Sequence, residues 1–278
     1  MHQIRMSNIE AFMPLFQNDN TEFFNISWVE PIFIGMLRAY QIDKNLKIQT
    51  DNSYLQSMIL QDHVPNKTYS PIEKIENSRM GLEKISTHIT DIMLQNFTQL
   101  NEEDIRDLKH YLQYLFLELM NNVADHAHSP VGGYTMAQYY PTNRKIQFVV
   151  ADRGVAFLKN MRLNYTDVET EIEAIQKALE KGVTSTEQKM YNQAKNAGYG
   201  LYAMFEILKM TGGSFVIISN DTLLRYHNGE FVAKHLSSPW KGVVVAFEFF
   251  EAEINYDMDY FKREYLWKLD DEEDDDFF

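Results

Sequence analysis

Glu118, Asn122 and His126, within Leu117 to Ala127 (LELMNNVADHA), stand four residues apart. On a helix advancing ~100° per residue they fall within an arc of roughly 80°. One polar face then carries a carboxylate, an amide and an imidazole, groups from which acid–base and ligand chemistry are built. Two further stretches invite a similar reading. Asp152-Arg153-Gly154 follows the apolar run Ile146 to Ala151, which places the Asp152 carboxylate at a strand end, where open sheets often hold ligands. Gly154 there permits a sharp turn and a close backbone approach, although Asp-x-Gly also makes plain surface turns. In Asn196-Ala197-Gly198-Tyr199-Gly200-Leu201 two glycines run into a helix start. Such a loop offers unpaired backbone N–H groups to an anion, favouring phosphate, yet G-x-G is also frequent in ordinary loops.

The elements around these residues must hold them in place. Leu108, Leu112, Leu115, Leu119 and Val123 recur at three- and four-residue steps, the period of an apolar helical stripe, and Asn101 with Asp104 reads as a capping box at its start. A polar side that simply faces water remains the alternative for Glu118, Asn122 and His126. Gly133 to Tyr140 and Lys145 to Ala151 read as strands, and the short polar link Pro141 to Arg144 predicts an antiparallel hairpin. A helix is expected from about Val168 to Lys181, then a polar stretch, then an apolar helix from about Tyr199 to Met210 stopped by Gly212-Gly213. Strands at Ser214 to Ser219, Thr222 to His227 and Gly242 to Phe250 complete a helices-on-sheet pattern.

The first 65 residues read as a small α/β segment: a strand near Glu22 to Ser27, a helix from Pro31 to Tyr40 with proline in its first turn, and a strand over Asn45 to Thr50. His63 to Ser70 reads as a loop. Residues 66–100 are then expected to form a helical linker or arm, because Ile72, Ile75, Leu82, Ile85, Ile89 and Met93 keep helical period from Pro71 to Asn96.

At 278 residues the chain can hold one large domain or two modest ones. Hydrophobic residues at 45% and charged ones at 24% suit a globular protein. With no cysteine, neither disulfides nor thiolate chemistry is available. The N-terminus (MHQIRMSNIEAF) does not resemble a signal peptide and no apolar run approaches the ~20 residues of a membrane helix, so a cytoplasmic protein with no membrane contact is expected. Half of the formal charge of −14 sits in Asp270 to Asp276 (DDEEDDD), within an extension over 251–278 whose acidic tail is expected to be disordered. Without a long basic run, direct nucleic-acid binding is not expected.

Taken together, the central segments resemble the GHKL ATP-binding fold shared by gyrase, the heat-shock chaperone ATPase, histidine kinases and the DNA mismatch-repair ATPase. The resemblance covers about Asn101 to Phe250. Glu118 and Asn122 match its E-x-x-x-N helix, with His126 completing N-x-x-x-H. Asp152 and Gly154 match D-x-G-x-G, and Gly198, Gly200 and Leu201 match G-x-G-L, with Tyr199 between the glycines. Thr211-Gly212-Gly213 and Gly242 are also family-like. More faintly, FFNISWVEPIFIGMLRAY near the N-terminus resembles STAS-like domains. The expected fold is therefore α+β, a two-layer sandwich of helices on a mixed, mainly antiparallel sheet (the Bergerat type), with a smaller N-terminal α/β segment.

The GHKL resemblance implies ATP and Mg²⁺ as ligands. Asn122 would offer its amide oxygen to the metal, Asp152 would accept from the adenine amino group, and Glu118 would be the general base acting on water near the γ-phosphate. His126 would touch phosphate or cap the helix. Gly182 to Ala197, with Thr184, Lys189 and Lys195, is similar to the family's ATP lid, and the hydroxyls of Thr184, Ser185 and Thr186 could reach phosphate oxygens. Ala156 in place of the second glycine and Val243 in place of a frequent threonine depart from the pattern. His88 and His110 lack the following acidic residue of a phospho-accepting histidine, and only about 28 residues follow Phe250, too few for the transducer domain of the gyrase type. Stand-alone anti-sigma kinases of this fold are closest in layout. The expectation is thus ATP hydrolysis or phosphotransfer to a protein, with a nucleotide-gated interaction switch as the alternative and a vestigial pocket ranked below both. A protein partner is expected, through the N-terminal segment or the acidic tail, and a homodimer is left open.

Overall fold

The computed structural model describes residues 1–60, 68–97, 102–183 and 200–251. It shows an α+β sandwich built on an antiparallel sheet of five strands. These are β5 (Glu73–Ile75), β6 (Gly133–Tyr140), β7 (Lys145–Asp152), β8 (Ser214–His227) and β9 (Glu230–Phe250), in the order β5-β6-β7-β9-β8. Ahead of them in the chain come β1 (His2–Ile4), a string of 3₁₀ turns (Met6–Phe16), β2 (Glu22–Phe23), β3 (Ile26–Val29), α1 (Pro31–Asp43), β4 (Gln49–Thr50) and α2 (Ser53–Leu60). The helices of the other layer are α3 (Leu82–Leu94), α4 (Glu102–Asn122), α5 (Phe157–Met161), α6 (Glu171–Ala178) and α7 (Gly200–Met210). No helix among the described residues is long and apolar enough to cross a membrane.

Strand alternation sends side chains to two different cores. Ile146, Phe148 and Val150 of β7, with Val245, Phe247 and Phe249 of β9, meet α3, α4, α6 and α7. Phe116 of α4 stacks on Phe148 with ring centroids 4.3 Å apart and planes 7° from parallel. The opposite face presents Tyr134, Met136, Val149, Ala151, Val244 and Ala246, and the N-terminal segment closes over it. α1 is buried along most of its length, as its apolar sequence PIFIGML dictates, and it lies against β6 and β7. Its close approach depends on Gly35, where an added Cβ would come within 2.9 Å of Val149. The N-terminal strands pair only as two short parallel couples, β1 with β3 and β2 with β4.

Several expectations are corrected. Residues 71–96 are not one helix or an arm. Glu73–Ile75 adds an edge strand to β6, and extended backbone sends Ile72 and Ile75 into opposite cores, whereas α3 begins only at Leu82. α3 is packed on α4, with Ser86 Oγ donating to Gln113 O at 2.6 Å. The helix expected over 168–181 is α6, its start set by a capping box: Thr170 Oγ1 accepts from Glu173 N and Thr170 N donates to Glu173. The strands expected at 214–219 and 222–227 are one, with an irregularity at Asn220. β9 starts twelve residues before Gly242, because Asn228-Gly229, both at positive φ, turns β8 back into a hairpin. The strand expected at 45–50 is only Gln49–Thr50. The hairpin between β6 and β7, the stop at Gly212-Gly213 and the proline start of α1 stand as expected. The capping pair Asn101 and Asp104 and the acidic tail lie outside the residues and side chains described.

Candidate functional site

Asp152 is the last residue of β7, and alternation turns its side chain toward the helical layer, as for Phe148 and Val150. It is 3% exposed. Two backbone amides donate to its Oδ1, that of Gly154 at 2.7 Å and that of Val243 at 3.4 Å. Its Oδ2 has no hydrogen-bond partner among the described residues. Burial pushes the carboxyl up to about 7, and the two amides offset only part of that rise.

Two glycines make this arrangement sterically feasible. A Cβ on Gly154 would lie 1.9 Å from the carbonyl oxygen of Ala127, so the loop after β7 presses directly on the end of the central helix. The next amide, Val155 N, donates to that same oxygen at 2.6 Å. Gly242 has φ +104°, and a Cβ there would sit 2.4 Å from the Asp152 carbonyl oxygen. The indole Nε1 of Trp240 donates to that carbonyl at 2.9 Å, fixing the strand end from the other side.

The departures from the family pattern have modest structural consequences. Ala156 has φ −74° and ψ 165°, backbone that any residue adopts, and it caps α5. Val243 lacks a hydroxyl but keeps its backbone bond to Asp152.

Glu118 sits half-buried on α4. Burial pushes its carboxyl up to about 6, against a lowering from the Asn121 amide, whose Nδ2 donates to Oε1 at 3.3 Å. Gly200, the first residue of α7, rests against this residue: a Cβ at 200 would come within 2.9 Å of the Glu118 Cβ. The glycine stretch and the E-x-x-x-N helix therefore meet. Asn122, one helical turn on, is half-exposed, and its carboxamide has no hydrogen-bond partner among the described residues.

The helix then changes character. Val123–Ala127 forms a π turn, wider than an α turn, so the ~100° step that relates Glu118 to Asn122 does not apply between Asn122 and His126. His126 is half-buried, which lowers its basicity, and its carbonyl accepts from Asn160 Nδ2 at 2.9 Å. Leu201 is buried in the helix-side core, where its side chain anchors α7. Gly198, Tyr199 and Thr184, with Lys189 and Lys195, lie outside the described residues.

Sequence reasoning missed two participants. Arg79 reaches the π turn, both its Nε and Nη2 donating to the Asp125 carboxylate, and its charge lowers the Glu118 carboxyl. Nothing in the spacing of Arg79 announced this, since it lies 46 residues from Asp125. Trp240, whose indole holds the Asp152 carbonyl, belongs to none of the motifs.

The described donors fit a nucleotide with a magnesium ion in one respect that can be stated. Asn122 supplies a single free amide oxygen, and Mg²⁺ ordinarily takes one or two protein ligands, the rest of its shell coming from phosphates and water. Among the described residues no cluster of three or more His, Asp or Glu side chains could hold a metal alone. Comparison with protein-family models and with curated proteins finds no match for the chain. The functional reading thus rests on the residues themselves.

Proposed function

We propose that this chain is a Mg²⁺-dependent ATP-binding protein of GHKL type, acting in the cytoplasm, that hydrolyses ATP or transfers its γ-phosphate to a protein partner. The observation that carries the reading is Asp152, a buried carboxylate at a strand end with one oxygen held by two backbone amides and the other without a partner among the described residues. Such a group is built to accept from a flat donor, and the amino group of adenine is one. Asn122 would hold the metal, which supplies charge neutralisation to the phosphates. Glu118, with its carboxyl at about 6, is mostly ionised at neutral pH yet basic enough to take a proton from water or from a side-chain hydroxyl. Gly200 keeps α7 close enough for its helix start to stand beside Glu118.

One observation favours a second reading, a nucleotide-gated interaction switch. Arg153, adjacent to Asp152, points to the other face of the sheet, where it pairs with Asp43 of α1 at 3.2 Å and lies 4.4 Å over the Trp240 ring. Events at the base site thus have a covalent neighbour inside the N-terminal layer, a natural partner surface. Glu118→Ala separates the readings: loss of function with ATP still bound favours the enzyme, and unchanged signalling favours the switch.

The founding test is calorimetric titration of ATP with and without Mg²⁺ on wild type and Asp152→Asn. Magnesium-dependent binding by wild type, lost in Asp152→Asn, is expected. Absence of binding by wild type overturns the proposal.

A further inference from the structure

The second face of the sheet changes character along its strands. Near Ala151 it is apolar and covered by the N-terminal layer, whereas its far end carries Gln138, Tyr140, Lys145, Gln147 and Glu248. Between that polar end and the β1–β3 couple lies a cleft of about 540 Å³, within the ~300–1,000 Å³ typical of small-molecule sites. It is remote from Asp152. Lys145 and Asp152 are the two ends of β7, roughly 23 Å apart at ~3.3 Å per residue, and their side chains leave opposite faces.

The polar groups of the cleft are sorted by kind. Gln138 Oε1 accepts from both Tyr54 Oη and Tyr140 Oη, each at 3.2 Å. As the amide is placed, both phenols act as donors to it, and burial raises the pKa of both hydroxyls. That orientation leaves Gln138 Nε2 with no acceptor among the described residues. Two of the side-chain acceptors, in contrast, are engaged. Glu30 accepts from Met6 N at 2.8 Å and lies 3.8 Å from Lys145, and Gln3 Oε1 accepts from Arg5 at 2.9 Å. Lys145 is further held by Glu248 at 2.7 Å. Arg5 lines the cleft with no ion pair among the described residues. Beside these donors stands Trp28, 40% exposed, its ring 6.0 Å from that of Tyr140. A large aromatic face left open on a cleft, flanked by an amide N–H₂ and a guanidinium that has no ion pair among the described residues, is complementary to a flat, acceptor-rich, negatively charged molecule.

We propose that this cleft is a second ligand site that takes a small planar anion, an aromatic or heteroaromatic ring bearing a carboxylate or phosphate. Its ring lies on Trp28, its acceptor atoms on Gln138 Nε2 and its charge on Arg5. The site is independent of nucleotide at the strand end.

The test uses the full chain with its tryptophans ¹⁵N-labelled, titrated with 4-hydroxybenzoate, orotate and guanosine monophosphate, the Trp28 indole signal being assigned by Trp28→Phe. At least one probe is expected to move that signal with a Kd below about 1 mM. Arg5→Ala is expected to weaken its binding roughly tenfold, and Asp152→Asn is expected to leave it unchanged. Three results overturn the proposal: no probe moves the Trp28 signal, the uncharged 4-hydroxybenzamide binds as well as 4-hydroxybenzoate, or Asp152→Asn abolishes binding and so places the probe at the strand end.

Discussion

The two ends of the candidate nucleotide site are built by different means. At the base end nearly everything is backbone: the amides of Gly154 and Val243 grip Asp152, and Gly154 and Gly242 let carbonyls approach where any side chain would collide. At the proposed phosphate end the participants are side chains on α4, Glu118 and Asn122, and the latter has no hydrogen-bond partner among the described residues. The first end is fixed by the fold itself. The second rests on two side chains rather than on backbone. Substitutions at the base end should therefore register mainly as stability, and those at the phosphate end mainly as chemistry.

The largest effect is expected from Gly154→Ala, whose new Cβ must displace the Ala127 carbonyl. A loss of roughly 3–5 kcal/mol in urea unfolding is expected. Gly182→Ala is the control, since Gly182 has positive φ (+74°), unlike Gly154, but nothing within 4 Å of the added atom, and ~1 kcal/mol should cover it. Equal costs for the two would break the contrast drawn above.

Next comes Glu118→Gln, which should lower ATP turnover by about 100-fold while leaving ATP affinity near wild type. In the wild type, turnover should rise with pH through about 6 and level off above it, following ionisation of Glu118. A Glu118→Gln enzyme with unaltered turnover would remove the catalytic role of this residue.

Asp152→Asn should separate binding from folding in the opposite sense. The Asp152 carboxyl is raised from 3.8 to about 7, so the folded state holds this proton more tightly than the unfolded chain. Its contribution is complete below pH ~4 and is lost as pH rises through about 7. Asparagine can keep both amide bonds without the buried charge, so the variant should be more stable than wild type at pH 8, by roughly 2 kcal/mol, and gain little at pH 4. Thermal melts at the two pH values decide, and a variant less stable than wild type at pH 8 refutes the burial argument.

The smallest effect belongs to Arg79→Ala. The Arg79–Asp125 pair is well exposed on the arginine side, so less than ~1 kcal/mol of stability is at stake. Because the arginine charge lowers the Glu118 carboxyl, the rising limb of the turnover profile should move slightly to higher pH. An unmoved limb would detach Arg79 from the phosphate end.

What was legible in the sequence follows from how local each signal is. The polar link Pro141 to Arg144, the double glycine after α7 and Pro31 are short-range signals, and they placed their elements well. Glu118 and Gly200 were singled out separately, and the structure brings them into contact. The π turn after Asn122 was not legible, because periodicity assumes an unbroken α-helix and the turn leaves no periodic trace. Ile72 and Ile75 kept helical spacing by coincidence, since three residues apart on extended backbone means opposite faces, and only the pairing with β6 reveals which applies. The full length of β9 was hidden because its first half is exposed and contains Pro239, so that the Asn228-Gly229 turn was its only mark. That the N-terminal segment covers the sheet's second face depends on Gly35 meeting Val149, a contact between residues 114 positions apart that neither reports alone.

That covered face constrains how the protein can be subdivided. Cutting the chain near residue 100, the boundary that motif spacing recommends, would strip α1 and uncover Tyr134, Met136, Val149, Val244 and their neighbours as one continuous greasy surface. It would also orphan Arg153, whose carboxylate partner Asp43 departs with the excised piece. A fragment trimmed to the motifs alone is therefore expected to come out of expression as inclusion bodies, and the unit for recombination or transplantation runs from the first strand to the last.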